Sequence, residues 1–363
     1  MDKTGVWEKG KRKKNFLGGY TMKILAIDTS CDETAAAVTE GTNITSNVIW
    51  SQASAHAKFG GVMPSLAQRM HEERIDWVID RALGKDYKNL NGIDAIAVTV
   101  GPGLSIALGV GIDRAKKQAI KHNIKIIAIN HLEGHVLSPL ANNKKVSDIV
   151  FPALGLVISG GNTLFIKIKK IGSYQILAQT TDDALGEALD KGARMMGLGY
   201  PGGAVLERMA RLGNSKKYKL PIPIVGQEAR RMFTYSGLKT AMYRLVESEK
   251  PLTKRKIYDL AACFQDVAFS HLTRTIKYIL RNDFAVKPGT LLVGGGVAAN
   301  VEVRKRLRKL GKEFGIKVLF PYSKKITGDN AAMIGVAASF KYECQEFAKT
   351  ESVDRKPNAK ITD

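Results

Sequence analysis

The chain is poor in cysteine: 363 residues hold three, Cys31, Cys263 and Cys344, far apart and with no CxxC pair. That excludes a disulfide framework and a zinc-finger ligand set, and it fits a reducing, cytoplasmic setting. No GxxxxGK[ST] occurs, so a P-loop is not expected, and no GxGxxG follows the first strand, which argues against a Rossmann dinucleotide site. Long unbroken apolar runs are missing too. The uncharged stretch Ala95–Ile112 is divided by Gly101-Pro102-Gly103 into a β-branched half and a half of helical period. It reads as a buried strand, a tight turn and a helix rather than a membrane span. The N-terminal MDKTGVWEKGKRKKNFLGGY lacks the apolar core of a secretory signal and contains Asp2 and Glu8, which mitochondrial leaders avoid. Acidic residues are scarce, with Asp+Glu 34 against Lys+Arg 56, giving a net charge of +22 and a pI near 9.8. A field of that sign draws polyanions, so nucleic acid is an expected partner, and no segment suggests a membrane. A generally basic, Lys- and Asn-rich proteome is the other reading of the same numbers.

What is present is a core. Hydrophobic residues make up 44% of a chain too long for one ordinary core and about right for two lobes. Two strand–turn–strand units recur. In the first, Ile24–Ile27 runs into a polar turn and Ala35–Val38 returns. In the second, Leu154–Ile158 meets Ser159-Gly160-Gly161-Asn162-Thr163 and Leu164–Ile168 leads away. A third apolar strand, Thr290–Val293, ends in Gly294-Gly295-Gly296. Short buried strands closed by small polar residues, with helical segments between them, make an α/β pattern, and the related units predict a duplicated lobe with a central cleft. Residues 1–21 are expected as a disordered basic tail or a wrongly assigned start, 22–142 as the N-terminal lobe and 143–345 as the C-terminal lobe. The apolar helix Asn330–Phe340 could cross back to either lobe, and 346–363 is expected as a polar, frayed tail.

Three constellations could carry chemistry. His131 and His135 lie at i and i+4 after the strand Ile124–Ile129, so they share a helix face at the carboxyl end of a strand and can offer two imidazoles to one metal. Glu133 is two residues from each, so in a regular helix it points about 200° away, which sets aside a metalloprotease reading. A third ligand must come from elsewhere, and Asp329 in Thr327-Gly328-Asp329-Asn330 offers a carboxylate, with a helix N-cap as its ordinary alternative. The turns Ser159-Gly160-Gly161 and Gly294-Gly295-Gly296 let backbone N–H groups approach an anion. In DDALGEALDK, Asp182 and Asp183 suit a helix N-terminus, whereas Asp190 could accept from ribose hydroxyls.

Together the stretches IDTSCDET, HAKFGGVMPSLAQRMH, VTVGPGLSIALGVG, NHLEGHV, LVISGGNT, DDALGEALDKGARMMGLGYPGG, FTYSGLKTA, LLVGGGVAAN and ITGDNAAMIG resemble the tRNA threonylcarbamoyladenosine transferase family, in order and spacing, from about Met22 to Phe340. The resemblance implies the two-lobed actin/Hsp70/sugar-kinase-like (ASKHA) fold with RNase H-like lobes. It implies His131, His135 and Asp329 around one divalent ion, iron or zinc. Val157, Ile158, Ser159, Gly160 and Gly161 would wrap the phosphate region or the threonylcarbamoyl group, and Asp190, Gly203, Glu207 and Asn300 would hold the adenosine end. Asp32 and Glu33 would belong to the catalytic loop. The implied reaction moves a threonylcarbamoyl group from threonylcarbamoyl-AMP to N6 of adenosine 37 in tRNAs reading codons that begin with A. The implied partners are the tRNA anticodon stem-loop and, in bacteria, a degenerate paralogue and a small ATPase. Asp28 departs from the Glu of many relatives. A sugar kinase or ATPase on the same fold, or a nucleotide-dependent tRNA-binding scaffold, is the alternative.

Overall fold

The computed structural model describes residues 21–143 and 146–363, so the expected tail falls almost wholly outside the described residues. Alternating buried runs form two sheets. The first is built from β1 (Lys23–Asp28), β2 (Glu33–Glu40), β3 (Asn43–Ser51), β4 (Ala95–Gly101) and β5 (Lys125–Asn130), in the order β3-β2-β1-β4-β5. The second comprises β6 (Ala153–Ile158), β7 (Thr163–Lys170), β8 (Ser173–Thr180), β9 (Met232–Phe233), β10 (Thr290–Gly294) and β11 (Lys317–Leu319), in the order β11-β10-β6-β7-β8-β9. In each, an antiparallel three-strand meander feeds two parallel strands: β1 pairs antiparallel with β2 and parallel with β4, as β6 does with β7 and β10. This is the duplicated α/β architecture expected of the ASKHA class. The fully buried β4 and β6 read as continuous apolar runs, because helices cover both faces of a parallel centre.

Helices α1 (Ala53–Ala57), α2 (Pro64–Leu83) and α3 (Ser105–His122) belong with the first sheet, and α4 (His131–Leu137) follows β5 directly. Helices α5 (Leu185–Met195), α6 (Gly203–Ala210), α7 (Ser236–Ser248), α8 (Lys254–Asn282) and α9 (Val301–Phe314) belong with the second. The last helix, α10 (Ala331–Glu343), lies within the range assigned to the C-terminal lobe yet packs on β1, β2 and α4, so the chain does cross back to the first sheet. Its residues are buried from Ala331 through Ser339, which is why it reads as apolar all round. One core cluster joins both sheets through these helices: Ile24, Ile127, Val136, Val157, Ile166 and Ile334 share it.

The expectation of a frayed C-terminal tail is overturned. Ala348 forms an isolated bridge with Ile126, and Val353 and Ile361 are buried in separate apolar clusters. Lys356 N–H donates to Val100 O at 2.6 Å, and Pro357 O accepts from Gly103 N–H at 3.1 Å. Backbone groups make most of these contacts, and a polar sequence does not disclose them.

Candidate metal centre and nucleotide cleft

Helix α4 is a short element whose whole length is buried, opened by Asn130, whose Oδ1 accepts from Leu132 and Glu133 N–H. Two glycines allow the close packing around it. A Cβ on Gly134 would stand 2.8 Å from Ile334 Cδ1 of α10, and one on Gly294 would stand 1.8 Å from His135 O. Because α10 can lie this close to α4, the residue just before its cap reaches the histidines. That cap is Asn330, which accepts from Met333 N–H, so Asp329 is released from the capping role.

His131 Nε2 lies 3.5 Å and His135 Nε2 3.1 Å from Asp329 Oδ1. The ligand atoms of the three residues fall within 4.8 Å of one another, and the imidazole rings meet edge-on with centroids 4.6 Å apart. On its other side His131 Nδ1 faces Ser30 Oγ at 3.1 Å and Asp28 Oδ2 at 3.6 Å, an outer shell that orients the ring and leaves Nε2 toward Asp329. Buried polar atoms here lack hydrogen-bond partners: both ring nitrogens of His135, and Asp28 Oδ2. The orphaned His135 ring, with His131 Nε2 and the Asp329 carboxylate aimed at the same point, fits a divalent cation. Burial opposes charge on His131, but Asp329 and Asp28 outweigh it and push the ring up to about 10. Burial dominates at His135 and lowers it. Burial would raise Asp329, yet His131 and His135 hold it well below the usual carboxylate range. Glu133 is turned away, as its position in the helix predicts. Its Oε1 accepts from Tyr174 Oη at 2.7 Å, and Lys341 Nζ lies 3.6 Å from Oε2.

Beside this cluster opens a cleft of about 720 Å³ between the sheets. Ser159, Gly160, Gly161, Asp190, Asp32, Glu33, His131 and Asp329 all line it. The Ser159 turn is closed by Ser159 N–H to Asn162 O at 2.8 Å and Asn162 N–H to Ser159 Oγ at 3.0 Å. A Cβ on Gly160 or Gly161 would meet nothing within 4 Å, so both face open space. Asp190 Oδ1 accepts from Gly202 and Gly203 N–H at 2.9 and 2.7 Å, which pins the start of α6 against α5. Burial raises its pKa against the pull of those two N–H groups. Glu33 accepts from Ser51 Oγ, and burial followed by the nearby Asp329 and Asp32 carboxylates pushes it up to about 10. A cation among these carboxylates would oppose that rise.

Other expected site residues stand differently. Val157 and Ile158 are fully buried with side chains in the sheet core, and neither lines the cleft, which begins in this stretch at Ser159. Asn300 caps α9, accepting from Glu302 and Val303 N–H and donating to Gln265 Oε1, so its amide is already engaged. Glu207 accepts from Val301 N–H and pairs with Arg211, and it lines a separate groove near α8 and α9. Gly203 meets Asp190 through its N–H and does not line the cleft. Asp182 and Asp183 are tethers. Asp182 accepts from Thr234, Tyr235 and Ser236, and Asp183 pairs with Lys191 and Lys239.

Sequence reasoning missed several contributors. Tyr200, Lys191 and Arg194 line the cleft from the second sheet's side, and Pro102, Gly103 and Leu104 from the first. His71 braces the turn between β1 and β2 that carries Asp32 and leads into Glu33, its Nδ1 on Thr34 Oγ1 at 2.8 Å and its Nε2 on Cys31 O at 3.0 Å. The only available signal was its place in HAKFGGVMPSLAQRMH.

Fold and site together define an ASKHA-class protein whose interlobe cleft carries a His-His-Asp cluster with the donor set of a divalent cation site. The comparisons with known proteins narrow this. The family described as tRNA N6-adenosine threonylcarbamoyltransferase matches residues 43–336. Curated proteins of that name are 42% identical in Bartonella henselae over 357 residues (93% of this chain, 94% of that protein) and 46% identical in a Cyanothece species over 321 residues (87% and 91%). The Pelagibacter ubique protein is 40% identical over 338 residues (91% and 92%). Among solved structures, Acidaminococcus fermentans (R)-2-hydroxyglutaryl-CoA dehydratase component A aligns with a TM-score of 0.51 at 15% identity, covering 89% of this chain and 100% of that one. HypF from T. kodakarensis aligns with a TM-score of 0.54 at 13% identity, covering 90% and 48%. At such identities they share the fold alone. The chain belongs to the tRNA N6-adenosine threonylcarbamoyltransferase family.

Proposed function

We propose that the protein transfers a threonylcarbamoyl group from threonylcarbamoyl-AMP to N6 of adenosine 37 in tRNAs reading codons that start with A. The observation that carries this, beside family membership, is the His131–His135–Asp329 cluster opening onto a cleft with bare glycine backbone. His131, His135 and Asp329 would hold a divalent iron or zinc ion. When bound, that ion supplies Lewis-acid polarisation of the carbamoyl carbonyl and an anchor for the threonyl carboxylate and hydroxyl.

The chain's own groups do the rest. Gly160 and Gly161 offer backbone N–H groups to the adenylate phosphate, where charge grows as the phosphate leaves, while the Ser159 N–H stays on Asn162 O and holds the turn. Asp190 keeps Oδ2 for ribose hydroxyls while Oδ1 stays on the α6 N-terminus. The bond formed is adenine N6 to carbamoyl carbon, and the bond broken is carbamoyl carbon to phosphate oxygen, releasing AMP. The proton lost from N6 passes to a carboxylate on the cleft wall, Asp32 or Glu33. An exocyclic amine is a weak nucleophile, so orientation contributes more than base strength. The net charge of +22 suits retention of an anticodon stem-loop through its phosphates. No helix among the described residues is long and apolar enough to cross a membrane.

The test is incubation of metal-loaded protein with threonine, bicarbonate, ATP, an adenylate-forming synthase and tRNA, with and without the paralogue and the small ATPase, followed by nucleoside analysis. Threonylcarbamoyladenosine should appear. Its absence in every combination, with the adenylate shown to form, overturns the reading.

A further inference from the structure

We infer that the C-terminal segment Arg355–Asp363 is a positioning strap that sets both the cleft wall and the metal helix. The inference rests on the transferase reading above. This segment lies beyond residue 336, where the family match ends.

The strap touches two parts of the site at once. At one end, Lys356 N–H donates to Val100 O at 2.6 Å and Pro357 O accepts from Gly103 N–H at 3.1 Å, so the strap brackets the Gly101–Gly103 turn. Pro102, Gly103 and Leu104 of this turn line the cleft. Gly101 has φ +153, and a Cβ there would stand 1.9 Å from Lys356 O. A glycine is therefore required for the strap to seat.

At its other end, Lys360 O accepts from Asn130 Nδ2 at 2.8 Å. An amide has one donor end and one acceptor end, so this bond fixes which way Asn130 faces. Oδ1 is thereby turned to Leu132 and Glu133 N–H, closing the first turn of α4, where His131 sits. Ile361 anchors the strap in the core cluster that contains Leu132 and Val136. The strap thus reaches the metal ligands through a cap residue, one contact further out than the ligand-bonded groups whose loss costs about 10–100-fold in metal affinity or activity, so the low end of that range is expected.

The experiment compares three forms of the full metal-loaded enzyme: the intact chain, a chain ending at Asp354, and Gly101→Ala, which keeps every strap residue while its methyl displaces Lys356 O and strains the turn at φ +153. Circular dichroism and a thermal melt establish folding. Zinc affinity is read by competition with a chromophoric chelator, and kcat and KM for tRNA and for the adenylate are measured separately. Both altered forms should fold, bind zinc about tenfold more weakly, and lose kcat with little change in KM for tRNA. A synthetic peptide of residues 355–363 should restore zinc affinity and kcat to the truncated chain and leave Gly101→Ala unrescued. Unchanged zinc affinity and kcat in a folded truncated chain overturn the strap role. If truncation prevents folding, unaltered zinc affinity in Gly101→Ala overturns it instead. An inactive intact chain that binds zinc, with strap-dependent affinity, counts against the transferase reading and leaves the strap standing.

Discussion

His135 Nε2 and Asp329 Oδ1 lie 3.1 Å apart, although the imidazole is fully buried and more than half the length of the chain separates the two residues. Neither ring nitrogen of His135 has a hydrogen-bond partner. A buried imidazole so placed is costly unless something accepts its lone pair. Replacing His135 or Asp329 by alanine should abolish stoichiometric metal binding, measured by elemental analysis of dialysed protein. Transfer should fall by at least about 100-fold, since even outer-shell losses reach that size. Full metal content in Asp329→Ala would contradict the assignment.

Gly186, near the start of α5, donates its N–H to Ser159 O at 3.1 Å, and a Cβ there would lie 2.5 Å from the same oxygen. Gly186→Ala should therefore push the Ser159–Gly161 turn into the cleft, reducing kcat/KM for the adenylate by about 100-fold if the turn moves near 1 Å. Metal content should stay normal. Gly161→Ala, with open space around the new methyl, should fold normally and act only through occupancy of the cleft.

Asp190 separates structure from binding. Alanine there strands the Gly202 and Gly203 N–H groups, and the melting transition should show a loss of about 1–3 kcal/mol. Asparagine keeps an acceptor for both and should retain most of that stability. If Asp190 also holds ribose hydroxyls, Asp190→Asn should raise KM for the adenylate even so.

His271 gives the protein an acid-side liability away from the site. It is buried, its Nε2 accepts from Thr234 N–H at 3.1 Å, and Phe233 and Tyr235 pack edge-on against it. Burial lowers its pKa to about 4. The unfolded chain takes up this proton near pH 6.5 and the folded one only near pH 4. Its contribution is therefore whole above pH 6.5 and is lost as pH falls between those values, by up to about 3 kcal/mol. Denaturant melts at pH 7.5 and 4.5 should show this decline, and His271→Gln, which keeps an acceptor, should remove much of it.

Much of this was legible in the chain. The strand–turn–strand units of Ile24–Val38 and Leu154–Ile168 announced two matching sheets, because a strand buried on both faces must be continuously apolar. The His131–His135 spacing fixed a shared helix face, and the two-residue offset of Glu133 removed it from that face. The capping of α10 by Asn330 rather than Asp329 was beyond local reading, since both residue types cap helices equally well. The engagement of Asn300 with Gln265 and the α9 N-terminus was hidden likewise. His71 and Tyr200 were passed over because their roles come from what folds against them.

Residue order alone determined the periodicities, the glycine-closed turns and the paired histidines, all of which depend on neighbours a few positions away. Convergence of Asp329 on those histidines, and the seating of a polar C-terminal strap over Val100 and Asn130, were decided by packing. They depend on α10 lying against Gly134 and on backbone carbonyls that every sequence possesses, so only the assembled fold could select which ones matter.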